Sequence, residues 1–331
     1  MFRSITNIWR PVIYQGRYRM KAHFEGWYFK LVDRVENNIY AVIPGVSFDK
    51  QGGAHCFIQL LNGKDATSRY FTYDISSFRY SDKGFQIWVG QSYFSSEKIE
   101  LNLSGEGLDI SGSLNFSGTI PWPSSISSPG AMGWYAFVPF MECYHGVISF
   151  DHEIRGSLKI AGRDVDFSGG RGYIEKDWGH SFPHYYAWAQ SNHFEKTGTS
   201  IMVSVANIPW LGKSFDGFMV GFFYENRLYR FTTYNRARLT SLEVKPQSLK
   251  AGFVTEEHLL EVEAHKSKDA TLAAPRMGSM DGRIAESMTS KIQVRLSSLE
   301  GGRQYLIFVG SGRNAGLEIA GDIGKFTLVR R

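Results

Sequence analysis

The sequence predicts an all-β protein of two tandem antiparallel β-barrels or sandwiches with little helix. Short runs alternate apolar and polar residues along most of the chain, and no run has a helical period. Glycine accounts for 35 of the 331 residues, and glycine-containing pairs separate the runs as tight turns. Each half of the chain holds about eight such runs, which is what one small closed barrel needs.

The N-terminal half opens with an extended lead-in over residues 1–22, which carries aromatic anchors at Trp9, Tyr14 and Tyr18. A strand follows from residue 23, and its alternation puts Glu25 and Trp27 on one face. Further strands are predicted in NNIYAVIPGVSF, GGAHCFIQLLNG, the turn-rich stretch from YFTYDISSF to GSLNFSG, CYHGVISF, GSLKIAG and RDVDFSGGRGYIEKDW.

Two segments interrupt the strands. Residues 119–140 carry several prolines and a run of serines, which predicts a long irregular crossing. Residues 267–290 are poor in aromatic residues and are predicted to form a mobile loop. The chain has no sharp linker, and we place the domains at 1–180 and 181–331, with strands such as YAWAQSNHF, SIMVSVANIPW, GFMVGFFYENRLYRFTTY, RQYLIFVGSG and GLEIAGDI in the second.

Composition excludes several classes of protein. The net charge is +5, and the basic cluster around 227–238 is interrupted by aromatic residues, so it predicts a solvated face and no nucleic-acid partner. The two cysteines, Cys56 and Cys143, lie in apolar contexts that favour free thiols in a reducing compartment. Without a signal sequence or an apolar run of membrane-spanning length, the expected location is the cytoplasm.

The stretch 169–194, GGRGYIEKDWGHSFPHYYAWAQSNHF, mixes charged and aromatic side chains more densely than any other. Its glycines lead into a strand, which argues against a phosphate cradle. His180 and His184 are four residues apart, but Pro183 opposes the helix that would bring them together on a zinc ion. No cofactor and no metal site is predicted. Of the chemistries considered, that of carboxylates among aromatic rings is the one that the stretch favours.

In an extended segment Arg171, Tyr173, Glu175 and Asp177 share one face, and Lys176 and Trp178 share the other. A carboxyl group buried among rings keeps its proton available, whereas one beside a cation is held ionised. Two readings are therefore open: either acid is a catalyst, or it forms an ion pair with Arg171 or Lys176. For Glu25, in its aromatic strand, the two readings are a catalyst or a buried acid that anchors the strand or the floor of the barrel.

Several motifs resemble the tocopherol cyclase family in order and spacing along most of the chain. They are HFEGWYFK (23–30), PGVSF (44–48), AHCFIQLLNG (54–63), PWP (121–123), GYIEKDWGHSFPHYYAWAQSNHF (172–194) and GLEIAGDI (316–323). Plant members of the family carry Asn where this chain has Asp177. The resemblance implies a two-domain lipocalin-like fold, with carotenoid hydratases as more distant relations.

The resemblance further implies a cofactor-free cyclisation of a prenylated hydroquinone to a chromanol. A Brønsted acid would protonate the alkene, ring faces would stabilise the carbocation, and the phenolic oxygen would capture it. Asp177 is the expected donor, with Glu175 or Glu25 as alternatives and His180 as a relay. The expected substrate-binding residues are Trp27, Tyr28, His55, Arg171, Trp178, Tyr186, Trp188 and Gln190.

Two other functions remain open. One is an acid catalyst of hydratase type that acts on another isoprenoid alkene. The other is a lipocalin-like carrier of a hydrophobic lipid, in which the acids are structural. In each case the partner is a prenylated quinol or another isoprenoid lipid. Such lipids reside in bilayers, so we also expect peripheral contact with a membrane, through residues 119–130 or 267–290.

Overall fold

A computed structural model describes residues 5–17, 19–139, 141–210 and 213–326, so the predicted anchor Tyr18 lies outside the described residues. Two large antiparallel sheets dominate the described chain, which confirms the all-β prediction. The helices in these ranges are short 3₁₀ helices at Ile5–Trp9, Ile75–Ser77, Gly130–Phe137 and Ile323–Lys325. No helix in the described ranges is long and apolar enough to cross a membrane.

Contacts divide the chain into two compact units. Unit 1 comprises residues 1–182 and 271–283, and unit 2 comprises residues 183–270 and 284–331. The strands of the first sheet are β1 (His23–Val32), β2 (Ile39–Phe48), β3 (Ala54–Asn62), β4 (Thr67–Asp74), β5 (Phe78–Tyr80), β6 (Gln86–Val89), β7 (Ser92–Ser95), β8 (Lys98–Gly105), β9 (Leu108–Ser117), β10 (Cys143–Ile160), β11 (Arg163–Asp166) and β12 (Gly170–Gly179).

The first sheet curls so that its two halves share one core. Its order is β4-β3-β2-β1-β12-β10-β9-β8-β7-β6-β5, and β11 pairs with β10. Trp27 of β1 stacks on Phe85 with ring centroids 5.8 Å apart, although β1 and the β5–β6 end are far apart in the sheet order. The same apolar cluster takes in Val42, Ile58 and Ile99. Both β1 and β12 are interior strands of this sheet, and one face of each lies on the shared core.

Unit 2 holds the second sheet, in the order β16-β15-β14-β13-β22-β21-β19-β18-β17, and β20 pairs with β21. Its core is aliphatic and aromatic, with Val203, Phe222 and Leu260 fully buried. The strands are β13 (Tyr185–Ser191), β14 (Ser200–Trp210), β15 (Lys213–Tyr224), β16 (Arg227–Thr232), β17 (Arg238–Lys245), β18 (Ser248–Val254), β19 (His258–His265), β20 (Asp269–Arg276), β21 (Ser279–Glu300) and β22 (Arg303–Gly321).

The predicted loop at 267–290 is wrong, because most of it forms β20 and the start of β21. Its apolar residues are small or flexible, mainly Ala, Leu and Met, yet they alternate buried and exposed as a strand requires. The turn at Gly278 is fixed in unit 1: its N–H donates to His180 O at 2.6 Å and its carbonyl accepts from Ser47 Oγ at 2.7 Å.

The irregular crossing is present as predicted. Residues 119–129 form no strand, and a 3₁₀ helix follows at Gly130–Phe137. Pro121, Pro123 and Pro129 cannot donate backbone hydrogen bonds to a sheet ladder, which explains why this stretch leaves the sheet.

Candidate active site

Strand β12 separates the predicted site residues onto two faces of the first sheet. It lies between β1 and β10, so its side chains have neighbours on both sides. Tyr173, Glu175 and Asp177 point to one face, as alternation predicts, and Lys176 and Trp178 point to the other. The two faces therefore hold two separate groups of charged residues.

The first group, which we call the acid cluster, consists of Tyr173, Glu175, Asp177 and His145. His145 lies directly opposite Asp177 in the β10–β12 register. Its Nδ1 is 2.8 Å from Asp177 Oδ1, and its Nε2 is 3.4 Å from Glu175 Oε2. Tyr173 donates its hydroxyl hydrogen to Glu175 Oε2 at 2.5 Å. One imidazole thus bridges two carboxylates.

The acid cluster is largely shielded from solvent. The side chains of Glu175, His145 and Asp177 are 6%, 13% and 24% exposed. Two carboxylates this close repel each other when both are charged, and a shared proton on the bridging imidazole relieves that repulsion. Asp177 is the most exposed of the three. Gly26 stands opposite it in β1, so no β1 side chain covers that carboxylate at this position.

The Tyr173 hydroxyl of the acid cluster and the neighbouring Cys143 thiol stay protonated. Burial, and then the adjacent Glu175, raises the pKa of Tyr173 well above its ordinary value, so its hydroxyl acts as a donor. Burial and the nearby Asp177 likewise raise the pKa of Cys143, whose Sγ lies 3.8 Å from Asp177 Oδ1. A thiol held protonated is a poor nucleophile, so the chemistry of this face belongs to the carboxylates and the imidazole.

The same face of the neighbouring strand β1 contributes an aromatic ring and a cation. Tyr28 lies opposite Glu175 in the β1–β12 register, and Lys30 lies opposite Tyr173. Both are buried. Of the predicted ring residues, Tyr28 therefore lies on the face of the acid cluster.

The second group, which we call the ion-pair cluster, lies on the core face and consists of His23, Glu25 and Lys176. Lys176 Nζ is 2.6 Å from Glu25 Oε1, and His23 Nε2 is 3.3 Å from Glu25 Oε2. All three side chains are fully buried. The ammonium lies 4.8 Å from the Trp27 ring centroid and 4.7 Å from that of Trp178.

This geometry argues against Glu25 as a proton donor. Burial alone would raise the pKa of its carboxyl, but the Lys176 ammonium and the His23 hydrogen bond outweigh burial and lower the pKa. The Gln15 N–H also donates to both oxygens, at 2.8 and 3.0 Å. Glu25 is therefore the ionised member of a structural pair, and Trp27 and Trp178 enclose the cation of that pair.

The alternative in which Arg171 or Lys176 pairs with Glu175 or Asp177 is wrong. Lys176 is engaged by Glu25 on the opposite face of the strand. Arg171 pairs with the buried Asp151, to which its Nε donates at 3.0 Å and its second nitrogen donates as well. Arg171 shares its face with the acid cluster but is fixed elsewhere along β12.

Two predicted histidines lie away from the acid cluster. Burial, followed by Arg19, His23 and Lys50, lowers the pKa of His180, and neither acid of the cluster is among these causes. His55 Nε2 is 2.9 Å from the Tyr70 hydroxyl on β4, and burial lowers its pKa. Neither is within reach of Asp177 as a relay by any described hydrogen bond.

The remaining predicted residues lie in unit 2, on β13. Tyr186, Trp188 and Gln190 alternate onto one face, and the Tyr186 hydroxyl donates to Glu318 Oε2 at 2.7 Å. Glu318 of β22 lies opposite Trp188 and also opposite the buried Glu286 of β21. Unit 2 thus has its own group of two carboxylates and a tyrosine.

Sequence reasoning missed His145, Glu286 and Glu318. His145 sits in a predicted strand, but a strand pattern does not tell which residue of another strand will face it. Glu286 fell in the stretch predicted to be a loop. Glu318 lies within the GLEIAGDI motif, so the motif itself was the available signal.

The acid cluster is also the group with metal-binding capacity found among the described residues. One ligand atom from each of His145, Glu175 and Asp177 lies within 4.8 Å of the others. A nitrogen and two carboxylate oxygens suit a divalent cation such as Zn²⁺. Here the imidazole Nδ1 is already hydrogen-bonded to Asp177, so a metal would compete with a proton for these atoms.

Comparison with known proteins identifies related sequences. A family model described as tocopherol cyclase-like matches residues 111–321. The chain is 25% identical over 200 residues to "Probable tocopherol cyclase, chloroplastic" of Oryza sativa subsp. japonica. The aligned region covers 57% of this chain and 42% of that protein. It is 23% identical over 198 residues to "Tocopherol cyclase, chloroplastic" of Zea mays, and that alignment covers 57% of this chain and 41% of the maize protein. The matched region therefore spans less than half the length of these relatives.

Solved structures share the fold. A crystal structure described as that of AttH from Nitrosomonas europaea aligns with a TM-score of 0.53 at 11% identity, covering 90% of this chain and 92% of that one. The crystal structure of CghA with Sch210972 aligns with a TM-score of 0.52 at 11% identity, covering 91% of this chain and 89% of that one. Because the family match spans well over half of the chain and includes β12 with its acid cluster, this protein belongs to the tocopherol cyclase-like family.

Proposed function

We propose that this protein is an acid-catalysed cyclase that closes a prenylated hydroquinone to a chromanol. The observation that carries the proposal is the imidazole of His145 between the carboxylates of Glu175 and Asp177. A carrier of lipid needs no such bridge, whereas an alkene-protonating enzyme needs a retained proton in a buried setting. Membership of the tocopherol cyclase-like family supports the same class of reaction.

In the proposed reaction, Asp177 delivers the proton because it is the most exposed acid of the cluster. The proton bonds to an alkene carbon, and the neighbouring carbon becomes a tertiary carbocation. The phenolic oxygen then bonds to that carbon and releases its proton to the cluster. The proton count balances, and no cofactor is consumed.

The other members of the cluster support this step. His145 shares the proton with Glu175 after transfer, so the negative charge is spread over two carboxylates. Tyr173 stabilises Glu175 through its hydrogen bond. The Tyr28 ring, opposite Glu175 in register, is the proposed face for the carbocation.

The test is an assay of the purified protein with a phytylated hydroquinone. Asp177→Asn and Glu175→Gln should each lose most of the chromanol product, and His265→Gln, at an exposed position of unit 2, is the control outside the cluster. Full activity in both acid variants would remove the proposed donor.

A hydratase acting on an isoprenoid alkene uses the same acid but admits water in place of the phenol. Reaction in ¹⁸O-labelled water distinguishes the two, because a hydratase incorporates the label as a hydroxyl oxygen and a cyclase does not. A carrier would bind the lipid stoichiometrically and return it unchanged.

We also propose that the protein contacts a membrane surface to take up its lipid. The irregular crossing and its 3₁₀ helix expose Ile126, Trp134 and Phe137, at 85%, 43% and 40%. Large apolar side chains so exposed in one segment are typical of interaction sites. Co-sedimentation with phosphatidylcholine vesicles should weaken in Ile126→Ser/Trp134→Ser, while Val35→Ser, at another exposed position, should have no effect.

A further inference from the structure

Unit 1 contains an open cavity of about 520 Å³ beside β4, the strand at one end of the first sheet. The charged residues of its wall are Arg69 of β4, Arg283 at the start of β21, and Glu106 of the turn between β8 and β9. The other wall residues are uncharged. No member of the acid cluster or of the ion-pair cluster lines this cavity, so it is separate from the candidate active site.

Hydrogen bonds between β20 and the strands β3 and β4 hold the wall in place. The Gln59 amide accepts from the Ala273 N–H at 2.8 Å and donates to the Ala273 carbonyl at 3.4 Å. Ser68 Oγ donates to Thr271 O at 2.6 Å. The cavity is therefore built by side chain to backbone bonds within unit 1, and a ligand would enter a preorganised site.

Backbone carbonyls hold both guanidinium groups at the wall. Arg69 donates from Nε to Glu106 O at 3.0 Å and from Nη1 to Ser68 O at 3.0 Å. Arg283 donates from Nη1 to two backbone carbonyls of its own turn, at 3.2 and 2.7 Å. Because an arginine has five N–H donors, each guanidinium keeps three that no described residue accepts.

The positive charge of these two arginines is not offset by an ion pair. In the part of the chain that the structure describes, neither Arg69 nor Arg283 lies within ion-pair distance of a carboxylate, and Glu106 bonds to Arg69 through its backbone carbonyl. Burial raises the pKa of the wall residue Tyr70, and the Arg283 charge opposes that rise, which places the charge near the Tyr70 ring. Two cations and one exposed carboxylate favour an anionic ligand.

We propose that this cavity binds a phosphate group, carried by a small soluble ester or by a lipid head group, through Arg69 and Arg283. The forked N–H donors of a guanidinium match the oxygens of a phosphate, and two guanidiniums match its two negative charges. A cavity of about 150 Å³ already holds benzene, so this larger one has room for part of the organic group. The proposal does not rest on the cyclase activity.

The test is titration calorimetry of the whole protein with inorganic phosphate. Arg69→Gln and Arg283→Gln should each weaken phosphate binding about tenfold, as the loss of charge-assisted hydrogen bonds predicts. Arg283→Lys keeps the charge but not the fork, so its affinity should lie between those of the parent and Arg283→Gln. The matched control is Arg155→Gln, at an arginine of unit 1 whose side chain is 71% exposed, and it should bind phosphate as the parent does.

Both arginines of the site are exposed, and circular dichroism checks that their variants are folded. Absence of phosphate binding in the parent, unchanged binding in both glutamine variants, or an equal loss in Arg155→Gln would each overturn the proposal. Co-sedimentation with phosphatidylcholine vesicles that contain phosphatidic acid then distinguishes the sources. Vesicle binding that falls in Arg69→Gln supports a lipid head group, and phosphate binding without vesicle binding supports a soluble ester.

Discussion

His145 Nδ1 lies 2.8 Å from Asp177 Oδ1, across the pairing of β10 with β12. Through its other nitrogen the same ring reaches Glu175, at 3.4 Å. A histidine 32 residues earlier in the chain thus lies between the two acids of the sequence motif. The candidate site depends on this register as much as on the motif itself.

Replacing His145 should therefore reduce catalysis even though both acids remain. His145→Gln keeps a hydrogen-bonding group but cannot carry the shared proton. We expect the turnover rate to fall by about 10² to 10⁴, the usual contribution of a positioned acid–base group. Chromanol formation measured under single-turnover conditions checks this.

The control for this change is His180→Gln, which alters a histidine without a described bond to the cluster. Its rate should stay within about threefold of the parent, below the range of general acid–base effects. If His180→Gln lost activity and His145→Gln kept it, the relay first expected from the sequence would be correct after all.

Zinc should inhibit the enzyme by competing with the shared proton. His145, Glu175 and Asp177 can present one ligand atom each to a divalent ion. Metal binding there displaces the proton that the reaction needs, so inhibition should deepen as pH rises and should reverse with a chelator. Activity at several Zn²⁺ concentrations measures this effect.

His145→Ala removes one of the three ligands and should weaken Zn²⁺ binding at least tenfold by calorimetry. The control is His265→Ala, which removes an exposed histidine of unit 2. This variant should bind Zn²⁺ at the cluster as tightly as the parent does. Activation by Zn²⁺ in place of inhibition would contradict the proton-sharing role of the cluster.

The Glu25–Lys176 pair should matter for folding. Glu25→Gln leaves a fully buried ammonium without its carboxylate, and breaking such a pair typically destabilises by about 3–5 kcal/mol. Urea denaturation followed by tryptophan fluorescence gives the free energy of unfolding. Lys176→Met in the Glu25→Gln background should recover part of the loss, since no unpaired charge then remains.

The exposed pair of Lys196 and Glu225 is the matched control, because its atoms approach to 2.5 Å in solvent. Glu225→Gln there should leave the free energy of unfolding nearly unchanged, because solvent screens an exposed pair. An equally small effect of Glu25→Gln would mean that the core-face pair is not structural.

Alternation alone was sufficient to place Glu175 and Asp177 on one face of β12 and Lys176 on the other. The partners of these residues were not predictable, because pairing between distant strands depends on register across the whole sheet. The loop predicted at 267–290 failed for a related reason. Its strand residues are small and weakly β-forming, and they become strands through pairing with neighbours and not through propensity.

The glycine-rich run at the start of β12 has an explanation that the sequence alone did not provide. A side chain at Gly170 would approach Val32 O to 2.2 Å, and one at Gly172 would approach the His152 ring to 2.2 Å. These glycines allow neighbouring strands to come close, which agrees with the prediction that the glycine run leads into a strand and does not form a phosphate cradle. They also create the pocket in which His152 is buried.

His152 should make the stability of unit 1 depend on pH. Its ring packs on Phe116, with centroids 4.5 Å apart, and its Nδ1 is 3.1 Å from Ser149 Oγ. Burial, and then the Arg171 charge, lowers the pKa of His152 from 6.5 to about 3. The unfolded chain therefore binds a proton on this residue at pH 5, where the folded chain does not.

The sign follows from that difference. The contribution of His152 is fully present above pH 6.5 and is lost progressively as the pH falls toward 3, because protonation favours the unfolded state. Between pH 7 and pH 5 the loss amounts to about 2 kcal/mol.

Urea denaturation of the parent and of His152→Gln at both pH values isolates the contribution of His152. The variant should lack about 2 kcal/mol of the parent's pH dependence, whatever its stability at pH 7, and His265→Gln should retain all of it. A parent and a His152→Gln variant with the same pH dependence would show that the buried ring is not the titrating group.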